Sequence, residues 1–441
     1  MLAKLHAKLG DFWWHSLMLF CACRAADVLN AFVGLWLVPK YIDPSELGAV
    51  LPLSNFASIL ALPLAVFATT FRNEVSRLSL DNEFGKLKTL IKSVFIATAV
   101  FIAMATIASH FILPLFLERI RIVNGSLGII IIGTAFINAV SPVFTNAIQA
   151  LKKFKANALM NLAGAPIRLL TMLALMPYRA LSGYFTGQGA SPAFNIVASI
   201  FFLRKELSVP AKPYWTKEVV KQFSKLFFIF SASSGVNAVA ALAESTILRQ
   251  RLPDIDSAGY YMASRFAEIA GFLFMTLCFT IFPVTAELAA KGKDTRPLLF
   301  KAAGASFVFS AIVAIPFFFI GQHTLSLLPN GNQYSAYWWV IPCQIAINYL
   351  TSFLALYSTT EISANRFGFM KWMIPMDLAY AAALFTVTAH GYFTDIIPNS
   401  WTAFLNAHNI RSLDTMLWWM AGFNAMKVTG CLLAMISKQK Q

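Results

Sequence analysis

The sequence is poor in charge. Only 12% of its 441 residues are Asp, Glu, Lys or Arg, whereas 58% are hydrophobic. A soluble domain carries about a quarter charged residues, so this scarcity excludes an ordinary water-soluble enzyme. The chain also lacks a phosphate-binding loop, because Gly85-Lys86 and Gly292-Lys293 have neither the earlier glycine nor the following hydroxyl residue of that motif. Direct use of ATP is therefore not expected.

Cysteine is equally scarce. All five cysteines fall in apolar stretches, where thiols behave as small hydrophobic groups. Cys21 and Cys23 lack the companion ligands that a structural metal site needs. We therefore expect neither disulfides nor a metal centre.

What the chain has in abundance is long apolar runs. A transmembrane helix needs about 20 such residues, and backbone groups in lipid must be satisfied within the segment, which favours helices. The sequence thus predicts an all-α integral membrane protein with twelve transmembrane helices. The predicted spans are 13–38, 49–71, 93–117, 127–150, 158–177, 182–203, 226–248, 258–287, 302–320, 335–358, 369–388 and 413–436.

The positive charges give the orientation. When successive loops are assigned to alternate sides, one side carries 24 Lys and Arg and the other carries 7. Short cytoplasmic loops are enriched in Lys and Arg, so both termini are predicted to be cytoplasmic. The net charge of +15 follows these loops and does not indicate a nucleic-acid partner.

The two halves of the chain resemble each other. Ser54-Asn55-Phe56-Ala57 recurs 210 residues later as Ser264-Arg265-Phe266-Ala267. With six spans per half, both halves start on the cytoplasmic side, so they are parallel repeats. We expect an N-terminal six-helix lobe over 1–203, an amphipathic cytoplasmic linker over 204–225, and a C-terminal six-helix lobe over 226–441. Within the linker, 215–226 is predicted to form a basic helix on the lipid surface.

Two six-span repeats, an outer turn Asp43-Pro44-Ser45-Glu46-Leu47-Gly48 and a second span rich in Ser, Asn and Phe resemble a known family. The sequence is similar to the multidrug/oligosaccharidyl-lipid/polysaccharide exporter superfamily, and within it to the polysaccharide flippase branch. The resemblance implies a MATE-like fold of two lobes around a central cavity. It further implies alternating access, with spans 1, 2, 7 and 8 lining the cavity.

Those four spans carry polar residues at membrane depth, where ionisable groups are costly and are functional candidates by default. Through the resemblance they are candidates for substrate binding. They are Arg24, Asp27 and Asn30 on span 1, Asn55 on span 2, Asn237 and Glu244 on span 7, and Arg265 and Glu268 on span 8.

Two interpretations of the arginines stay open. Arg24 with Asp27, and Arg265 with Glu268, are three residues apart and share a helical face. Each arginine either holds an anionic group, since guanidinium matches phosphate geometry, or forms a neutralised structural pair. Among the remaining span residues, we expect mainly interhelical ties from Arg168, Asp377 and Lys427.

The coupling ion is expected to be H⁺ or Na⁺, held by Asp27 or Glu244. A carboxylate in a medium of low dielectric constant gains proton affinity unless it is paired. Pairing with Arg24 would work against protonation of Asp27, so Glu244 is the better candidate. No other cofactor is expected.

The resemblance thus implies a non-enzymatic flippase for a polyprenyl-pyrophosphate-linked oligosaccharide in the bacterial cytoplasmic (inner) membrane. Its partners would be that lipid-linked substrate, membrane lipids and polysaccharide assembly proteins. One alternative is an ion-coupled multidrug exporter of the same superfamily. Another is a membrane-integral glycan polymerase or ligase that uses the outer loop 389–412 with His390 and His408.

Overall fold

The computed structural model describes residues 25–122, 126–151, 153–291, 293–363, 366, 368–389 and 412–437. Throughout these ranges the chain forms helices and turns, without a strand. Each predicted span lies mostly in helix over its described part, so the all-α membrane fold is confirmed. The helices are α1 (residues 25–41), α2 (Pro44–Leu47), α3 (Val50–Leu80), α4 (Phe84–Arg119), α5 (Ser126–Ala150), α6 (Phe154–Phe202), α7 (Arg204–Ser208), α8 (Lys217–Arg251), α9 (Asp254–Ala290), α10 (Arg296–Ser326), α11 (Val340–Ser363), α12 (Met370–Ala389) and α13 (Leu413–Ser437).

Six stretches of described helix are long and apolar enough to cross a membrane by length and composition alone. Several leave most of their surface outside the protein interior. In the helix Arg296–Ser326, only 11% of the most apolar stretch is buried inside the protein. Phe319 in this helix is 83% exposed. Apolar side chains exposed along a whole helix face lipid in a protein of this kind. The chain is a multi-pass membrane protein.

The contacts divide the chain into two compact units. Over the described residues, the first unit holds those up to Val33 together with Leu53–Ala238, and the second holds Gly34–Pro52 together with the chain from Val239 onward. The second unit therefore includes the acidic turn that joins spans 1 and 2. The lobe boundaries at 203 and 226 stay a prediction.

Predicted spans 5 and 6 form one long helical segment, α6, with a sharp reversal of its backbone at Ala180 (φ 37°, ψ −112°). The two arms pack closely because glycines face the opposite arm. A Cβ on Gly183 would lie 2.7 Å from the Leu175 carbonyl carbon, and one on Gly187 would lie 2.2 Å from Met172 Cγ. Small residues of this kind allow close helix approach in membranes.

The segment between the halves differs from the expected surface helix. α8 begins at Lys217 and runs without interruption to Arg251, because no glycine or proline occurs between Lys217 and Ser234 to end it. Most of residues 215–226 therefore form the first turns of α8 and are not a separate helix.

The preceding extended stretch is docked onto the first unit. Lys212 N–H donates to the Gly85 carbonyl at 3.1 Å, and Trp215 Nε1 donates to Ser93 Oγ at 2.8 Å. Tyr214 is buried among the apolar side chains of α3, α4 and α5. This burial, together with the Glu74 carboxylate, raises the pKa of the Tyr214 hydroxyl above its usual range. The linker is thus tied to the first unit by specific hydrogen bonds.

Gly183→Ala is expected to lower stability, since the new methyl group meets backbone atoms of the other arm. Overpacking of this type costs about 1–3 kcal/mol. The matched control is Gly133→Ala, because a Cβ there meets nothing within 4 Å. A thermal unfolding assay in detergent should show a lower Tm for Gly183→Ala and an unchanged or slightly raised Tm for Gly133→Ala. Equal Tm values would contradict the close packing of the arms.

Candidate functional site

The predicted site residues of the first unit lie on three helices. Arg24 falls outside the described residues. Asp27 and Asn30 are half-buried on α1, Asn55 is half-buried on α3, and Asn237 is exposed on α8.

Asp27 acts electrostatically on Arg168, which lies on the first arm of α6. Arg168 Nη1 also donates to Gln188 Oε1 at 3.1 Å, and Gln188 Nε2 donates to the Tyr184 hydroxyl at 2.8 Å. Arg168 thus forms the interhelical tie that the sequence predicts. The interaction between Asp27 and Arg168 could not be predicted from the sequence, because 141 positions separate the two residues.

In the second unit, Arg265 sits on α9 in a defined set of contacts. Its Nη2 lies 2.8 Å from Glu268 Oε1, and its guanidinium carbon lies 4.8 Å from the centroid of the Tyr261 ring. The Arg265 side chain is 21% exposed, whereas that of Glu268 is 48% exposed. The arginine is therefore the anchored member of the pair and the carboxylate is the accessible one.

Gly34 makes room for the arginine. It lies in a π-helical stretch, Val33–Leu37, of α1, and a Cβ there would be 3.1 Å from Arg265 Cδ. π-helical turns within α-helices occur frequently at functional sites. A side chain larger than glycine at this position would press on the stem of Arg265.

A second polar cluster of this unit lies deeper. The Tyr380 hydroxyl donates to Glu244 Oε1, and Lys427 Nζ lies 3.0 Å from Asp377 Oδ1. The side chains of Lys427 and Asp377 are 8% and 2% exposed. This pair links α12 to α13, which is the interhelical tie predicted from the sequence.

Tyrosines complete this cluster, and sequence reasoning missed them. The Tyr260 hydroxyl donates to Gln344 Oε1 at 3.3 Å, and Gln344 Nε2 donates to Asn348 Oδ1 at 3.3 Å. Tyr260 and Tyr380 are 4% and 1% exposed. Tyrosine is common in apolar spans as an interface residue, so its presence did not single out these two.

Arg249, counted as an outer-loop charge in the sequence, is buried in the second unit with 1% of its side chain exposed. Its Nη1 lies 2.7 Å from Asp254 Oδ1 and 3.3 Å from Ser257 Oγ, and its Nη2 donates to the Ser45 carbonyl. Gly48 permits this arrangement, since a Cβ there would be 2.1 Å from Ser257 Oγ. The acidic turn that carries the family resemblance is therefore held by an arginine.

These groups define what the second unit can do chemically. Arg265 presents a guanidinium beside a displaceable carboxylate, an arrangement suited to phosphate. Glu244 presents a half-buried carboxylate bonded to a phenol, an arrangement suited to carrying one proton. Among the described residues, no group of three or more His, Cys, Asp or Glu side chains is placed to hold a metal ion.

No protein family model matches the chain, and neither does any curated protein. Solved structures do match. A multidrug resistance MATE family transporter of the MOP superfamily, in an inward-facing conformation, superposes with a TM-score of 0.70 at 11% identity, covering 94% of each chain. The lipid II flippase MurJ, in an inward closed conformation, gives 0.66 at 12% identity, covering 95% of this chain and 87% of that one.

A variant of the Vibrio cholerae MATE transporter VcmN gives a TM-score of 0.63 at 11% identity, with coverage of 100% of this chain and 98% of that one. These likenesses extend over nearly the whole chain. They show that it has the fold of the MOP superfamily, shared by MATE transporters and a lipid flippase. The fold expected from the sequence resemblance is confirmed.

Arg249→Met is expected to destabilise the protein, because it leaves the Ser45 carbonyl and Asp254 without their donor. Loss of a charged hydrogen-bond donor costs about 1.5–3 kcal/mol, and the 39% exposure of the Asp254 side chain keeps the cost toward the low end. Arg251→Met is the control, since Arg251 is exposed at the same helix end. Thermal unfolding in detergent should give a clearly lower Tm for Arg249→Met alone. Matching losses in both variants would show that burial of Arg249 has no energetic weight.

Proposed function

We propose that the chain is a flippase that carries a lipid-linked oligosaccharide, of the polyprenyl-pyrophosphate type, across the bacterial inner membrane by alternating access. The observation that supports this most is Arg265, an anchored guanidinium at membrane depth whose carboxylate partner is accessible. The fold shared with the lipid II flippase MurJ is compatible with such a cargo. On this proposal the protein acts without catalysis and with polysaccharide assembly proteins as partners.

The two arginine interpretations can be weighed by exposure. The interhelical pair of Lys427 and Asp377 buries both members, whereas Arg265 and Glu268 lie on the same helix. Glu268 instead exposes 48% of its side chain. A pyrophosphate, which carries more charge and pairs bidentately with guanidinium, is thus able to displace it. This favours the binding role for Arg265.

The remaining predicted residues are assigned by chemistry. Arg24 is proposed as a second phosphate ligand on span 1. Asn30, Asn55 and Asn237 are proposed to bind sugar hydroxyls, because amides both donate and accept hydrogen bonds.

Energy is proposed to come from proton coupling at Glu244. Asp27 is the weaker candidate, since it interacts with the permanently charged Arg168. Glu244 is bonded to the neutral Tyr380 hydroxyl, which is compatible with either protonation state of the carboxylate.

A second candidate, an ion-coupled multidrug exporter, has one observation in its favour: a multidrug MATE transporter superposes with a TM-score of 0.70. The two functions require opposite cargo charges. If the purified protein binds cationic dyes but not undecaprenyl pyrophosphate, the exporter function is favoured and the flippase proposal is rejected.

Arg265→Ala is expected to reduce head-group translocation at least tenfold, because a charge-assisted bidentate contact contributes about 1.5–3 kcal/mol. Arg265→Lys should recover only part of it, since an ammonium lacks the planar fork. Glu268→Gln should retain or tighten binding, because the competing carboxylate is gone. The measurement is translocation of a fluorescent lipid-linked oligosaccharide in proteoliposomes.

Two further variants sharpen this experiment. Arg366→Ala, at an arginine that is 45% exposed outside the spans, controls for loss of one positive charge. Gly34→Leu keeps the charge but displaces the Arg265 stem, so it should mimic Arg265→Ala. Unchanged translocation in both Arg265→Ala and Gly34→Leu would remove the assigned role.

Glu244→Gln is expected to abolish the response of translocation to a proton gradient while leaving substrate binding intact. The amide keeps the shape and accepts the Tyr380 hydrogen bond but exchanges no proton. Tyr380→Phe, which keeps the carboxylate, should retain gradient dependence with a shifted pH profile. Translocation in proteoliposomes with and without an imposed pH difference provides the measurement, and full gradient dependence in Glu244→Gln would falsify the assignment.

A further inference from the structure

The deep cluster of the second unit contains two carboxylates and one ammonium. Glu244 lies on α8, Asp377 on α12 and Lys427 on α13. Lys427 Nζ is 3.0 Å from Asp377 Oδ1, and both side chains are at least nine-tenths buried. Charged groups at membrane depth persist only when they are paired with one another.

Tyr380 joins the parts of this cluster. Its hydroxyl donates to Glu244, and its ring centroid is 5.6 Å from Lys427 Nζ. The Phe423 ring also packs against the Tyr380 ring, with 4.5 Å between the two ring centroids. Lys427 also acts electrostatically on Glu244. The ammonium is therefore paired with Asp377 and acts on Glu244 only through space.

From this geometry we infer that Lys427 is a tethered cation, occupying the position that a free monovalent cation would take beside Asp377, with the Tyr380 ring between it and Glu244. The inference rests on the proposed proton coupling at Glu244 and explains why Na⁺ is not needed there. With Lys427 in place, one carboxylate is balanced and the other is neutralised by a single proton. The second unit then has no need of Na⁺, and the coupling ion is the proton.

Removing the ammonium should create a metal-ion site. Lys427→Ala leaves two carboxylates uncompensated in low dielectric and frees the volume of the lysine stem. One turn earlier on α13, Asn424 Oδ1 is buried and without a hydrogen-bond partner. Hard cations prefer such oxygen ligands, so a sodium ion would find carboxylate and amide oxygens there.

The experiment compares four proteins purified in detergent: wild type, Lys427→Arg, Lys427→Ala and the double variant Lys427→Ala/Asp377→Asn. Thermal unfolding is measured in NaCl, KCl and choline chloride at equal ionic strength. Binding to the folded state raises Tm. We expect Na⁺ to raise the Tm of Lys427→Ala by several degrees above its value in choline. The wild type and Lys427→Arg should show no difference, and the double variant should show a smaller rise.

Two results would overturn the inference. One is stabilisation of the wild type by Na⁺ over choline, which means that a free cation site exists beside Lys427. The other is the absence of any Na⁺ or K⁺ response in folded Lys427→Ala. If that variant does not fold, Lys427→Gln replaces it under the same criteria.

This readout is separate from transport. A failure here with retained translocation would leave the flippase proposal intact and reject only the tethered cation. Loss of proton-gradient dependence in Glu244→Gln, together with no Na⁺ response in the wild type, would support both the proton coupling at Glu244 and the tethered cation.

Discussion

Lipid surrounding a helix cannot solvate a charge, and this constraint organises the second unit. Taking an ion out of water costs several kcal/mol even after the surroundings relax, so each buried charge needs a partner nearby. Arg249 is held by Asp254 and the Ser45 carbonyl, and Lys427 by Asp377. These pairs join elements that are distant in sequence, and they determine how the acidic turn and α13 are held.

The same constraint separates structural pairs from candidate binding groups. A pair buried on both sides leaves nothing for a ligand to replace, whereas Arg265 is fixed by Tyr261 and by the space over Gly34 while Glu268 remains accessible. Burial of both partners marks Lys427 and Asp377 as a structural pair, whereas Arg265 and Glu268 are both partly exposed. We therefore propose three separate roles. Arg265 binds an anionic cargo, Glu244 binds a proton, and Lys427 balances the charge of Asp377.

Most of the helices could be predicted because lipid allows few alternatives. A run of about 20 apolar residues must satisfy its own backbone hydrogen bonds, so the predicted span 127–150 and the observed helix Ser126–Ala150 nearly coincide. The reversal at Ala180 was also predicted between two spans. The docking of the linker was not predicted, since it depends on contacts with distant helices that the linker's own residues do not specify. Tyr214 and Trp215 make these contacts with α3 and α4.

Composition and periodicity by themselves determined that the chain is a helical membrane protein, where its spans lie, and which span residues are chemically unusual. These properties are local, because they depend on the cost of placing each segment in lipid. Only the tertiary structure decided that Asp27 interacts with Arg168, that Tyr380 bonds Glu244, and that Arg249 is buried beneath the acidic turn. Pairing between helices depends on their packing and rotation, and no span carries in its own sequence the identity of the residue that will face it.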